Sequence, residues 1–92
     1  MRRFNVFYKM APGTRDAFLK DLLENKISEC ALAIDGCIQY QYMVPVDDPD
    51  TLVLMEKWET EDARQTHIAA PHFAKIQELK GTRVIGWESE EY

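Results

Sequence analysis

Thr51-Leu52-Val53-Leu54-Met55-Glu56-Lys57-Trp58-Glu59 alternates its side chains with the period of a strand, yet both resulting faces are largely apolar. Leu52, Leu54, Glu56 and Trp58 make one face; Val53, Met55 and Lys57 make the other. An antiparallel strand with one wet face alternates apolar with polar residues, so this one asks for cover on two sides. The N-terminal stretch Arg2–Met10 (RRFNVFYKM) repeats the pattern: Phe4, Val6, Tyr8 and Met10 point one way, Asn5 and Phe7 the other.

The remaining elements follow outward from residue 51. Residues 45–50 are a loop of Pro and Asp, and residues 37–44 (CIQYQYMV) read as a partner strand. That strand sets Ile38, Tyr40, Tyr42 and Val44 against Gln39 and Gln41. Between it and the first strand, Ala11-Pro12-Gly13 is a turn and Thr14 a helix cap with Asp16 in the first turn. One helix is expected from there to about residue 33, its apolar stripe being Phe18, Leu22, Leu23, Ile27, Cys30 and Ile34, stopped by Asp35-Gly36.

Downstream, Thr60 caps a short helix that Ala70-Pro71 interrupts. Pro71 opens another helix over residues 72–80, closed by Gly81. Residues 82–88 form a fourth strand with Val84, Ile85 and Trp87, and the acidic residues 88–92 read as a solvated end.

The order β-α-β-β-α-β specifies an α+β, ferredoxin-like fold: a four-stranded antiparallel sheet with its helices on one face. Phe7, Val53, Met55, Ile85 and Trp87 are then assigned to the uncovered face. Leaving them wet costs roughly 1.5–3 kcal/mol for each large side chain, so a second copy packed face to face is expected, giving a homodimeric α+β barrel.

Ninety-two residues make one domain, 1–92, and 46% hydrophobic with 29% charged residues argues against disorder. A formal charge of −5 with scattered Lys and Arg disfavours nucleic acid and anionic membranes as partners. No apolar run is long enough to span a bilayer, and Asn5, Tyr8 and Lys9 break up any signal-peptide core. A cytoplasmic protein is expected, with Cys30 and Cys37 as reduced thiols. There is no GxGxxG, no Walker loop and no CxxCH, so no dedicated nucleotide-binding element or haem attachment is encoded, and neither a cofactor nor a metal is expected.

Candidate chemistry centres on His67 and His72, the only histidines, which flank the break at Pro71. Five residues apart, they do not share a helical face as a metal-ligand pair would, but either imidazole suits acid–base work near neutral pH. A loop-bracing role is the bland alternative. Asn5 interrupts an apolar strand, and a buried amide there either reads a ligand or bonds backbone. Trp58, Tyr40, Tyr42 and Phe73 are core candidates that are also able to wall a pocket.

Glu56-Lys57-Trp58-Glu59, followed by His67 and Pro71-His72-Phe73, resembles the antibiotic biosynthesis monooxygenase family. The Pro12-Gly13 turn with Phe18 behind it, and Gly36-Cys37 leading to Tyr40, extend the resemblance nearly end to end. It implies a small dimeric ferredoxin-like protein with a pocket between helices and sheet, near Asn5, Trp58, His67 and His72. It also implies a cofactor-independent monooxygenase of a small aromatic or quinol-like substrate. There a histidine (His67 or His72) would be the base, Asn5 a donor to the oxyanion, and Trp58 with Tyr40, Tyr42 and Phe73 the wall. Haem-degrading enzymes, an isomerase and a non-catalytic dimeric binding protein are the alternatives on this scaffold. The haem branch is weakened because this chain has His67 where those members have Trp, and Gln77 where they have a haem-ligating His.

Overall fold

The computed structural model describes residues 1–92, and its strand order is β2-β3-β1-β4. The elements are β1 (Arg2–Met10), α1 (Arg15–Glu24), α2 (Ile27–Leu32), β2 (Cys37–Met43), β3 (Thr51–Trp58), α3 (Glu61–Ile68), α4 (Pro71–Lys80) and β4 (Val84–Glu91). All strand pairs are antiparallel. The result is a ferredoxin-like α+β fold in which the first expected helix is a pair of shorter ones and the second helical region breaks before Pro71 as expected. No helix is long and apolar enough to cross a membrane.

The central pair, β1 and β3, sets Phe4, Val6 and Tyr8 opposite Glu56, Leu54 and Leu52 on the side the helices cover. Trp58, Leu52, Leu54 and Met10 from the sheet meet Phe18, Leu22 and Ile27 from α1 and α2, all of them fully buried. At roughly 1.5–3 kcal/mol per buried large apolar side chain, this layer is the main source of stability. Arg3, Asn5, Phe7, Val53, Met55 and Lys57 share the opposite, open face.

Four expectations need correction. The first helix is not continuous: it breaks at Asn25 and restarts after Lys26, which takes a left-handed conformation at φ 55°. The break turns Cys30 outward and leaves Leu23 exposed, so neither belongs to the buried stripe. Thr14 does not cap α1 with its side chain; its hydroxyl donates instead to the Ala11 carbonyl at 2.7 Å.

Two register irregularities account for the third correction. Cys37 opposes Trp58 but Gln39 opposes Lys57, so Ile38 is an extra residue and swings out to 45% exposure rather than joining Tyr40 and Tyr42. Met10 opposes Val84 and Lys9 opposes Gly86, which displaces Ile85 in the same way. Trp87 then stands opposite Tyr8, on the helix side of the sheet and not on the open face.

Finally, the acidic C-terminus is not a loose end. Glu88, Ser89, Glu90 and Glu91 pair with β1 as far as Phe4, and Arg2 bridges Glu91 and Glu61.

Candidate active site

Between α3, α4 and the sheet lies a cavity of about 360 Å³. Its floor is set by strand alternation, with Phe4, Val6 and Tyr8 from β1, Leu54 and Glu56 from β3, Tyr40 from β2, and Trp87 and Ser89 from β4. Its roof is set by helical spacing: Arg64, His67 and Ile68 from α3, then Phe73, Ile76, Gln77 and Lys80 from α4.

The elbow between α3 and α4 makes the site. Thr60 caps α3, its hydroxyl oxygen accepting from the Ala63 amide at 3.1 Å. Ala70 is extended, as a residue preceding proline prefers, and Pro71 starts α4. This turn brings together two histidines that no single helix could align. His67 Nδ1 and His72 Nε2 lie 2.7 Å apart, a hydrogen bond in which one ring donates and the other accepts.

His67 is 3% exposed and wedged among aromatic rings. Trp58 lies tilted over it at 5.0 Å, while Tyr40 and Phe73 present edges at 5.3 Å. Burial, then the neighbouring His72 and Arg64, bring its pKa down from 6.5 to about 4. Burial also lowers His72. Both imidazoles are therefore neutral at physiological pH. His67 Nδ1 is engaged by His72, which leaves Nε2 as the ring nitrogen without a protein partner.

Glu56 is the carboxylate of the cavity, 9% exposed. Its Oε1 accepts from Trp58 Nε1 at 3.0 Å. Burial raises its pKa more than that bond and the charge of Arg64 lower it. Arg64 lies over the Phe4 ring at 4.7 Å, held by Glu61 at 2.9 Å. Burial raises the Tyr8 and Tyr40 phenols, keeping them protonated as potential donors. The site thus combines a neutral imidazole pair, a buried carboxyl, two cations and aromatic walls.

Of the residues expected at a site, His67, Tyr40 and Phe73 line the cavity and His72 joins through His67. Trp58 is wholly buried behind His67 and does not line it; Tyr42 stands edge-on to Tyr40 at 5.8 Å, one step further out. Asn5 is on the open face, across the sheet from the histidines, because it alternates with Phe4 and Val6. Its Oδ1 is buried and without a partner there. Glu56, Arg64, Lys80 and Trp87 were not anticipated. A carboxylate among Leu52, Leu54 and Trp58 on one strand face was the available signal for Glu56. No motif announces Arg64 or Lys80.

Cys37 is half-buried and its thiol is pushed up to about 11, chiefly by burial, so it is no ready nucleophile. No three His, Cys, Asp or Glu side chains converge as a metal site would require.

The antibiotic biosynthesis monooxygenase family model matches residues 1–79. The chain is 31% identical over 78 residues to a Bacillus subtilis protein named "Putative monooxygenase YcnE", covering 80% of each. Its structure is similar to that of PA3566 from Pseudomonas aeruginosa, with a TM-score of 0.88 at 19% identity over 99% of this chain and 90% of that one. A conserved Methanosarcina mazei protein gives a TM-score of 0.84 at 25% identity over 99% and 89%.

Proposed function

The chain belongs to the antibiotic biosynthesis monooxygenase family, and from that premise we propose that it is a cofactor-independent monooxygenase of a small aromatic or quinol-like substrate. The observation that carries the reading is the pairing of the buried His67 with the half-buried His72 at an aromatic-walled cavity. In this chemistry the substrate supplies all the electrons. A phenol loses its proton, the electron-rich phenolate reduces O₂, and a C–O bond forms at a ring carbon bearing hydrogen. Loss of water from the resulting hydroperoxide leaves a new carbonyl. One oxygen atom enters the product, the other leaves as water, and the substrate gives up two hydrogens.

His67 Nε2 accepts the phenolic proton and returns it to the peroxide oxygen once the C–O bond has formed, which regenerates the neutral imidazole. An imidazole with so low a pKa takes a proton only as the phenolate forms beside it, so the two charges arise as an ion pair in a low-dielectric pocket. The bond to the less buried His72 spreads the positive charge outward. Arg64 lies where a cation stabilises developing negative charge, the part earlier given to Asn5. Phe4, Tyr8, Tyr40 and Phe73 exclude water from the ring.

The working unit of this reading is a homodimer in the cytoplasm. Phe7, Val53 and Met55 form a partly uncovered apolar strip, Met43 beside them is 45% exposed, and the buried Asn5 Oδ1 is unpartnered among them. A second copy against this face removes that apolar surface from water and offers Asn5 a donor.

Oxygen uptake with menadiol and anthrone tests the activity. Uptake by the native protein, reduced at least about 100-fold in His67→Ala and less in His72→Ala, is the expected result for loss of a general base. Unaltered rates in both variants remove the proposed base. A Soret shift on adding haem, with no quinol turnover, would favour the haem-degrading alternative, and ligand binding without turnover the non-catalytic one.

A further inference from the structure

The two cations of the cavity are unequal. Arg64 sits over Phe4 and is paired with the half-exposed Glu61, with the buried Glu56 close enough to feel its charge. Lys80 sits at the other end. Its Nζ lies 5.1 Å from the Tyr8 ring centroid, four residues along β1 from Phe4, or roughly 13 Å at the rise of a strand. Trp87 flanks the same end, directly across from Tyr8.

Lys80 has no carboxylate partner: the ion pairs of the molecule engage Arg2, Arg15, Lys20, Arg64, Lys75 and Arg83. A half-buried ammonium facing an aromatic cavity without a counter-charge is unusual in a chain of net charge −5, where acidic partners outnumber basic ones. Closing the last turn of α4 accounts for a basic residue at this position and the Tyr8 ring face for where its ammonium rests, but neither supplies it with a negative charge.

We infer that the Lys80 end of the cavity is an anion subsite and that the substrate is an aromatic acid, its ring against Tyr8 and Trp87 and its carboxylate on Lys80 Nζ. This rests on the aromatic-substrate reading above and narrows it. Burial lowers the Lys80 pKa with no opposing charge to raise it, which is the state that an incoming carboxylate would relieve. The ring would then extend toward Glu56 and His67, placing a hydroxyl within the reach of the imidazole.

Two probes of equal ring size, 1-hydroxy-2-naphthoate and 1-naphthol, isolate the carboxylate. Titrated under nitrogen and followed by tryptophan fluorescence and calorimetry, the native protein should bind the naphthoate about tenfold more tightly, the scale of one charge-assisted hydrogen bond. Lys80→Met should bring the two affinities within about threefold while 1-naphthol binding persists, which also reports an intact fold. Lys80→Arg should keep the preference. Lys75→Met, which removes the same charge from the same helix outside the cavity, should keep it too.

Equal affinities in the native protein, a preference that survives Lys80→Met, or no binding of either probe overturns the inference. Because no turnover is needed, the two proposals fail separately. A Lys80-dependent preference without oxygen consumption on any dihydroxynaphthalene, carboxylated or not, would leave the subsite and remove the oxygenase. Oxygen consumption without the preference would do the reverse.

Discussion

Burial of a neutral His67 makes stability depend on pH in a direction opposite to that of a salt-bridged histidine. In the unfolded chain an imidazole titrates near 6.5; in the folded protein His67 titrates at about 4. Between those values the unfolded state binds the proton and the native state does not, so acid favours unfolding. The contribution is fully present above about pH 7, is lost as pH falls below 6.5, and falls no further below about 4. At about 1.36 kcal/mol per unit, lowering the pH from about 7.5 to 4.5 should cost about 2.5 kcal/mol through this one side chain. Other groups titrate as well. Glu61, Glu91 and Asp48 are held low by hydrogen bonds and Arg or backbone partners and add to acid loss, whereas the raised Glu56 opposes it. A difference measurement removes them. Urea unfolding of the native protein and of His67→Gln, at both pH values and one fixed protein concentration, should show the native protein losing about 2.5 kcal/mol more than the variant. Equal losses, within about 0.5 kcal/mol, would mean that His67 does not enter the folded state as a buried neutral group, and the base assignment would go with it.

Trp58→Phe keeps most of the buried ring but strips Glu56 of its donor, so a loss of about 1–3 kcal/mol in chemical denaturation is expected, with a further rise in the Glu56 pKa visible by carboxyl NMR. Gly36→Ala should destabilise more than Gly13→Ala: both positions have positive φ, costing about 1 kcal/mol, but a methyl at Gly36 would also meet the Ala63 Cβ at 2.8 Å, whereas Gly13 faces open space. Thermal melts of the two variants compare them directly, and equal melting temperatures would contradict the packing of Gly36 against α3. Met55→Glu, on the open sheet face, should convert a dimer to monomer in sedimentation velocity, and a native protein already monomeric at tens of micromolar would refute the assembly.

Most of the fold was legible because alternation and punctuation are local. Residues 2–10 and 51–58 read as two-faced strands, Pro71 announced an elbow, and Thr60 announced a cap. What escaped was decided by single inserted residues. Nothing in CIQYQYMV marks Ile38 as a bulge, and nothing near Val84 marks Ile85 as one, yet the first takes Ile38 off the face of Tyr40 and Tyr42 and the second decides which side Trp87 takes. The helix break at Asn25-Lys26 is carried by one left-handed lysine, a conformation that composition does not advertise. The site was half legible for a related reason. Histidine attracts notice by rarity, and Asn5 by contrast with its apolar neighbours, but contrast does not say which side of a sheet is meant. Arg64 and Lys80 look like ordinary surface charges until the elbow folds α3 and α4 over one hollow.

That elbow couples chain length to chemistry. Only Ala69 and Ala70 separate the two helices, and Ala70 is extended, so one residue added or removed there would change the direction in which α4 leaves α3. His72 would swing away from His67, and Phe73 and Lys80 would leave the hollow together, with every side chain of the site still present in the sequence. Among proteins of this architecture, counting residues between the paired imidazoles should therefore forecast shared reactivity better than the presence of either histidine alone.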